Sequence, residues 1–98
     1  MAKLIAQPAD ADELASFLVA GGFGHLRVRR RGDLLTIESG PSDDPYPRAR
    51  LRRVGAQSWR LEMATHTGRW EPTPFQGHRD EIQRLLVDNF PWTIAPLD

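Results

Sequence analysis

Arginines at alternate positions are the feature of this sequence with the clearest chemical potential. Arg27 and Arg29 lie two residues apart in one segment, Arg50 and Arg52 in a second, and Arg60 in a third. Alternation at period two places side chains on one face of a sheet. Guanidinium groups give paired, charge-assisted hydrogen bonds to phosphates and carboxylates. The pattern predicts an arginine-rich face that binds a partner or an anion.

The same face has a simpler interpretation, which the sequence leaves open. Glu38 and Glu62 fall among the arginines, and solvated cross-strand ion pairs contribute under about 1 kcal/mol each. Twelve Arg against one Lys also fits a GC-rich genome. The net charge is zero and no aromatic residue is predicted between these arginines. Both observations make nucleic acid the less favoured partner.

Five further residues are predicted at turns on one rim of the sheet and form a secondary candidate anion site. They are Arg30, Arg31, Arg53, His78 and Arg79. The free N–H groups at the start of a helix, together with arginines, suit a phosphate or carboxylate. Exposure of turn residues to water is the alternative interpretation.

The opposite rim is predicted to hold the remaining polar residues with chemical potential: His25, Asp43, Asp44, Tyr46 and His66. Their spacing matches no metal-binding motif. The chain has no Cys, which excludes disulfides, thiolate ligands and thiol nucleophiles. We therefore assign no catalytic residue and predict no metal and no cofactor, and we keep an enzyme of unknown class as a third hypothesis.

Arg69 and Trp70 open an unusual segment that also contains Pro72 and Pro74. Proline cannot donate a ladder hydrogen bond, so the segment is expected to be an edge strand. Trp and Arg are frequent anchors at protein interfaces. The pattern is consistent with two interpretations. The prolines could protect the edge from aggregation, or the edge could contact a partner.

The elements that must position these residues begin with a short helix, for which Asp10 is the expected N-cap and Glu13 its capping-box partner. Gly21-Gly22 should end this helix. Two strands then alternate around Gly32-Asp33, a pair suited to a type II′ hairpin turn. That turn pairs Val28 with Ile37 and Arg27 with Glu38.

A loop over residues 39–47 leads to a third strand over 48–54 and a fourth over 58–63. An odd loop at 55–57 pairs Leu51 with Leu61, which keeps the apolar side chains on one face. The fifth strand, over 69–73, is expected to place Trp70 opposite Met63. The order of strands is left open by the long loop.

A second helix is expected from about His78 to Asn89, with Ile82, Leu85 and Leu86 on one apolar side. The residues after Pro91 are expected to lie extended against the rest of the chain. Together these elements predict a single α+β domain over residues 1–98. Its architecture is a two-layer sandwich, with an antiparallel five-stranded meander covered on one face by both helices.

The tripeptide Gln57-Ser58-Trp59 resembles the Gln-x-Trp of a central strand in frataxin-type α/β sandwiches. The resemblance implies a two-layer sandwich. The acidic ridge that gives that family its iron chemistry is reduced here to Asp10, Asp12 and Glu13. It therefore implies architecture without function.

The sequence thus favours an interaction module that binds a protein partner, or a second copy of itself, through the arginine-rich face or the Trp70 edge. The alternative is a nucleic-acid-binding accessory protein that uses the same face. The segment 1–6 lacks the apolar run of a secretion signal, and no segment is long and apolar enough to span a bilayer. We expect a cytoplasmic location and no membrane partner.

Overall fold

The computed structural model describes residues 4–96, and these form two helices, five strands and a short 3₁₀ helix. In chain order the elements are α1 (Pro8–Ala20), β1 (Arg27–Arg31), β2 (Leu34–Ser39), β3 (Tyr46–Gly55), β4 (Ser58–Ala64), β5 (Trp70–Gly77), α2 (Arg79–Asn89) and the 3₁₀ helix Pro91–Thr93. Strand neighbours follow chain order in one antiparallel sheet, which confirms the meander and the α+β class. No helix of the described residues is long and apolar enough to cross a membrane.

The β1–β2 hairpin has the predicted register. Val28 lies opposite Ile37 and Arg27 opposite Glu38. Gly32 has a φ of 57°, whereas Asp33 is not among the residues with positive φ. This combination fits a type II′ turn, in which the first central residue alone needs positive φ.

The β3–β4 connection gives the predicted pairing by a different route. Leu51 lies opposite Leu61, but Gly55 pairs with Ser58, so the turn itself contains two residues. A bulge between Arg53 and Gly55 supplies the extra residue. The predicted three-residue loop is therefore wrong in its bounds, and Gln57 lies in the turn and not in a strand.

The β4–β5 register differs from the prediction by one residue. Trp70 lies opposite Ala64, while Met63 faces Glu71. The reason is the turn: the Thr65 N–H donates to the Arg69 carbonyl at 2.8 Å, which leaves a three-residue loop. Gly68, with a φ of 82°, supplies the left-handed residue that such loops commonly need. The shift moves Trp70 to the opposite face of the sheet.

β5 is an edge strand, as predicted, but it is longer than expected and irregular. Its pairing with β4 shifts between Arg60 and Glu62, and the Thr73 hydroxyl bonds the Leu61 carbonyl at 2.8 Å across the irregular stretch. Pro72 and Pro74 flank this stretch. A strand with two prolines is poorly suited to pair with a further strand.

α1 begins earlier than predicted. Gln7 is the N-cap and Pro8 is the first helical residue, so Asp10 stands three residues after the N-cap. There the Asp10 carboxylate accepts a hydrogen bond from the Gln7 N–H at 2.9 Å. Proline favours the first helical position because its missing N–H is not needed there. The predicted N-cap role of Asp10 is therefore wrong, although its carboxylate still caps the helix.

The core lies between the helices and one face of the sheet. Its fully buried members include Leu14, Leu18, Leu35, Ile37, Leu51, Leu61, Leu86 and Ile94. α2 begins after the N-cap His78 and ends before Pro91, close to the predicted bounds. The segment after Pro91 is a short 3₁₀ helix and not extended as predicted. It buries Ile94 completely and leaves Trp92 68% exposed.

Candidate functional site

The sheet face opposite the helices carries Arg27, Arg29, Arg50, Arg52 and Arg60, which we call the arginine face. The meander brings these five residues onto one surface, as the sequence predicted. They are not free cations, because acidic side chains lie among them. Two carboxylates, from Glu38 and Glu62, accept most of their hydrogen bonds.

Glu62 is the centre of the arginine face. Its carboxylate accepts from Arg50 Nε at 2.6 Å, from Arg52 Nε at 3.0 Å and from Arg60 Nη2 at 2.9 Å. The guanidinium groups cover it so well that its side chain is only 5% exposed on a face that no helix covers. Burial alone would raise the pKa of Glu62, but the hydrogen bonds from Arg52, Arg60 and Arg50 outweigh burial and lower the pKa to about 2.

Glu38 supplies a second carboxylate, which pairs with the arginines of β1. Glu38 accepts from Arg29 Nη2 at 2.9 Å and lies 3.4 Å from Arg27 Nη2. Arg27 also donates to the Gly40 carbonyl in the β2–β3 loop. The arginines of this face therefore form ion pairs with Glu38 and Glu62 of the same face. Its net positive charge is smaller than its five arginines suggest.

Arg52 links Glu62 to the hairpin turn. It donates to Asp33 at 3.0 Å in addition to Glu62. The hydrogen bond to Glu62 is the main reason that the pKa of Arg52 is raised above its ordinary value.

Trp70 also lies on the arginine face, where the sequence had placed no aromatic residue. The guanidinium carbon of Arg50 lies 4.3 Å from the centroid of the Trp70 ring. This distance gives a favourable cation–π contact. The cause of the missed placement is the one-residue register shift in β5. The neighbouring Arg69 is exposed at the turn before the strand.

The five candidates for a secondary anion site do not come together at one place. Arg53, His78 and Arg79 line a depression of about 450 Å³, whereas Arg30 and Arg31 do not. Arg79 is already paired with Asp10 and Glu13 of α1.

Two other arginines of this rim, Arg30 and Arg53, donate hydrogen bonds to backbone carbonyls. Arg53 donates to the Ile5 and Ala56 carbonyls, and Arg30 donates to the Ala6 carbonyl. At the start of α2, the Glu81 carboxylate accepts a hydrogen bond from the N–H of the N-cap His78 at 3.3 Å. Arg30, Arg53 and Arg79 are therefore engaged by other parts of the chain, whereas Arg31 is exposed to solvent.

The other end of the sheet holds a groove of about 540 Å³. It lies where the β2–β3 loop, the β4–β5 turn and the 3₁₀ helix meet. We call it the aromatic groove, and its principal lining residues are Tyr46, Arg48, His66, Trp70, Trp92 and Thr93. Tyr46 is 60% exposed and Trp92 68% exposed, while Trp70 is half-buried. Three large aromatic side chains thus border one concave surface.

The aromatic surface continues from the groove along the edge of the sheet. The rings of Trp92 and Phe90 have centroids 5.6 Å apart, and those of Phe90 and Phe75 are 5.7 Å apart. Both pairs have tilted or edge-on geometry, which is favourable for aromatic rings. The exposed Trp92 indole therefore packs against Phe90, which in turn packs against Phe75.

Arg48 lines the groove but was not among the candidate site residues predicted from the sequence. Ile37 pairs with Ala49 but Glu38 pairs with Pro47, so Arg48 occupies a bulge and leaves the alternation of the other arginines. Its side chain is buried, with 5% of the residue exposed, and donates to Ser39 Oγ at 3.2 Å and to the Ala95 carbonyl. Burial lowers the pKa of Arg48, with Tyr46 acting in the opposite direction. Pro47 was the available signal, because proline inside a sheet often marks a bulge.

The predicted polar rim is only partly assembled in the groove. Asp44, Tyr46 and His66 line it, but His25 and Asp43 do not. The imidazole Nε2 of His25 lies 2.8 Å from the Ile94 carbonyl and so anchors the C-terminal segment. Within residues 4–96, no three His, Cys, Asp or Glu side chains are grouped closely enough to hold a metal ion.

Comparison with protein families, with curated proteins and with solved structures finds no match to this chain. The geometry of the site is therefore the basis for any functional assignment.

Proposed function

We propose that this chain is an interaction module that binds an extended segment of a partner protein in the aromatic groove. The observation that carries the proposal is the convergence of Tyr46, Trp70 and Trp92 on one groove of about 540 Å³. Two of these side chains are more than half exposed. Large aromatic residues beside a concave surface are the usual anchors of protein interfaces.

The arginine face supports this proposal as a neighbouring and not as a primary contact surface. Arg50 stacks on Trp70, so the groove and the arginine face share a border. Because Glu38 and Glu62 already satisfy much of the guanidinium capacity, a partner gains less from the arginines than from the open aromatic rings. We also propose that the chain acts in the cytoplasm, as predicted from the sequence.

Selection of peptides from a display library tests the proposal. The wild-type chain and a Tyr46→Ala/Trp92→Ala double variant are used as parallel baits. Both substituted side chains are mostly exposed, so the double variant is expected to fold. We expect a recurring peptide pattern on the wild type that is absent from the variant. Equal enrichment on both baits, or enrichment on neither, would contradict a groove-binding function.

A matched control keeps the selection interpretable. Val19 is an apolar residue of α1 that is 63% exposed and lies outside the aromatic groove. Val19→Ala removes exposed apolar surface without touching the proposed site. Enrichment on this variant should equal that on the wild type.

Nucleic acid remains a second candidate because Trp70 lies on the arginine face. A stacked aromatic ring beside arginines is a feature of surfaces that bind single strands. Light scattering after size exclusion, at low and high salt and with the 260/280 nm absorbance ratio, separates the candidates. Bound nucleic acid that dissociates at high salt would favour this second function. A salt-resistant dimer without nucleic acid would make the partner a second copy of the chain.

A further inference from the structure

The aromatic groove is lined by a buried arginine, Arg48, with which no acidic side chain of the described residues forms an ion pair. Arg48 is 5% exposed and lines the groove. Every ion pair within residues 4–96 is made by other basic residues: Arg27, Arg29, Arg50, Arg52, Arg60 and Arg79. Within residues 4–96, the hydrogen-bond acceptors of Arg48 are a hydroxyl and a backbone carbonyl, both of them neutral.

These two acceptors do not use all the hydrogen-bond donors of the Arg48 guanidinium. A guanidinium group has five N–H donors. One hydrogen bond from Nη1 to Ser39 and one from Nη2 to Ala95 account for two of them. A buried charge is costly unless a counter-charge accompanies it, so a carboxylate that reached Arg48 would gain a charge-assisted hydrogen bond there.

We infer that the partner segment presents a carboxylate to Arg48 with an adjacent apolar group packed between Trp70 and Trp92. This inference rests on the proposed function and specifies the chemistry of the ligand. The acidic residue in the groove lining is Asp44, and it makes no ion pair with Arg48. The aromatic walls supply the apolar contact, and Arg48 supplies the selectivity for negative charge.

Two small probes of equal shape test the requirement for charge. 3-Phenylpropionate carries an aromatic ring and a carboxylate, and 3-phenylpropionamide replaces the carboxylate by a neutral amide. Each is titrated into ¹⁵N-labelled full-length protein, and the indole N–H signals of Trp59, Trp70 and Trp92 are followed. We expect the signals of Trp70 and Trp92 to move while that of the core residue Trp59 does not.

The expected result is that the carboxylate binds about tenfold or more tightly than the amide, because a hydrogen-bonded charge is absent from the amide complex. Equal affinity of the two probes would overturn the inference about charge while leaving a groove-binding function intact. Failure of both probes to move the Trp70 and Trp92 signals at millimolar concentration would contradict both. A shift of the Trp70 signal without a shift of the Trp92 signal would place the anion on the arginine face and also overturn the inference.

Variants then test the role of Arg48 itself. Arg48→Met should remove the preference for carboxylate over amide. If Arg48→Met does not fold, Arg48→Lys retains the charge but loses the planar fork, and should keep the preference at several-fold lower affinity. Arg31→Met removes the same charge from an exposed position at the opposite end of the sheet and should change neither affinity. A preference that survives in folded Arg48→Met would overturn the assignment.

Discussion

Replacement of Glu62 by Gln provides a quantitative test of the arginine face as a structural network. In the folded protein three arginines hold the pKa of Glu62 at about 2, compared with an ordinary value of 4.5. A difference of about 2.5 pH units, at about 1.4 kcal/mol per unit, corresponds to roughly 3 kcal/mol. Removal of one partner from a buried ion pair costs a similar amount in other proteins. We therefore expect Glu62→Gln to lower the free energy of unfolding by roughly 3 kcal/mol at pH 7.

The pH dependence of this effect has a definite sign. The folded-state pKa of Glu62 is lower than the unfolded-state value, so the ionised carboxylate stabilises the fold. Its contribution is complete above pH 4.5 and is lost as the pH falls from 4.5 through about 2. The difference in stability between wild type and Glu62→Gln should therefore be largest at neutral pH and shrink toward pH 2.

Urea unfolding at pH 7, 5 and 3, followed by circular dichroism, measures the difference. At neutral pH we also expect a decrease in Tm of roughly 10 to 20 °C, given the size of the chain. Glu71→Gln is the matched control, because Glu71 is an exposed carboxylate on the adjacent strand. A loss below about 1 kcal/mol in Glu62→Gln, or a loss independent of pH, would refute the network as a source of stability.

Three further substitutions test the fold. Gly32→Ala should cost about 1 kcal/mol in urea unfolding, because Gly32 has a φ of 57° with open space around it; an unchanged stability would contradict the assigned turn. Ile94→Ala should cost about 2 to 5 kcal/mol, because Ile94 is fully buried, and a surface-like effect would show that the C-terminal segment does not dock. Asp10→Ala should lower the free energy of unfolding by at least about 1 kcal/mol, because it removes both the cap on Gln7 and the ion pair with Arg79. Thermal unfolding would detect this loss, and a neutral result would contradict both roles.

Hydrophobic alternation and turn chemistry predicted the sheet well. Val28 opposite Ile37 and Leu51 opposite Leu61 both follow from the need to keep apolar side chains on one face. Neighbouring strands in the chain also became neighbours in space, so the predicted arginine face assembled as a unit.

The aromatic groove could not be predicted in the same way, because it depends on local irregularities. The placement of Trp70 was decided by one residue in the β4–β5 turn, where Gly68 permits a three-residue loop. The burial of Arg48 was decided by a bulge, which interrupts the alternation on which the prediction relied. The approach of Trp92 to these residues depends on tertiary packing of a 3₁₀ helix, and no local pattern encodes it.

The most direct test of the proposed function is the location of a bound peptide. The most strongly enriched peptide from the display selection is added to ¹⁵N-labelled protein, and backbone and indole amide shifts are mapped by NMR. The groove-binding account predicts that the largest shifts fall on residues 44–48, 64–70 and 92–93. Shifts centred on Arg29, Thr36 and Arg60, with little change at Trp92, would contradict it and make the arginine face the binding surface.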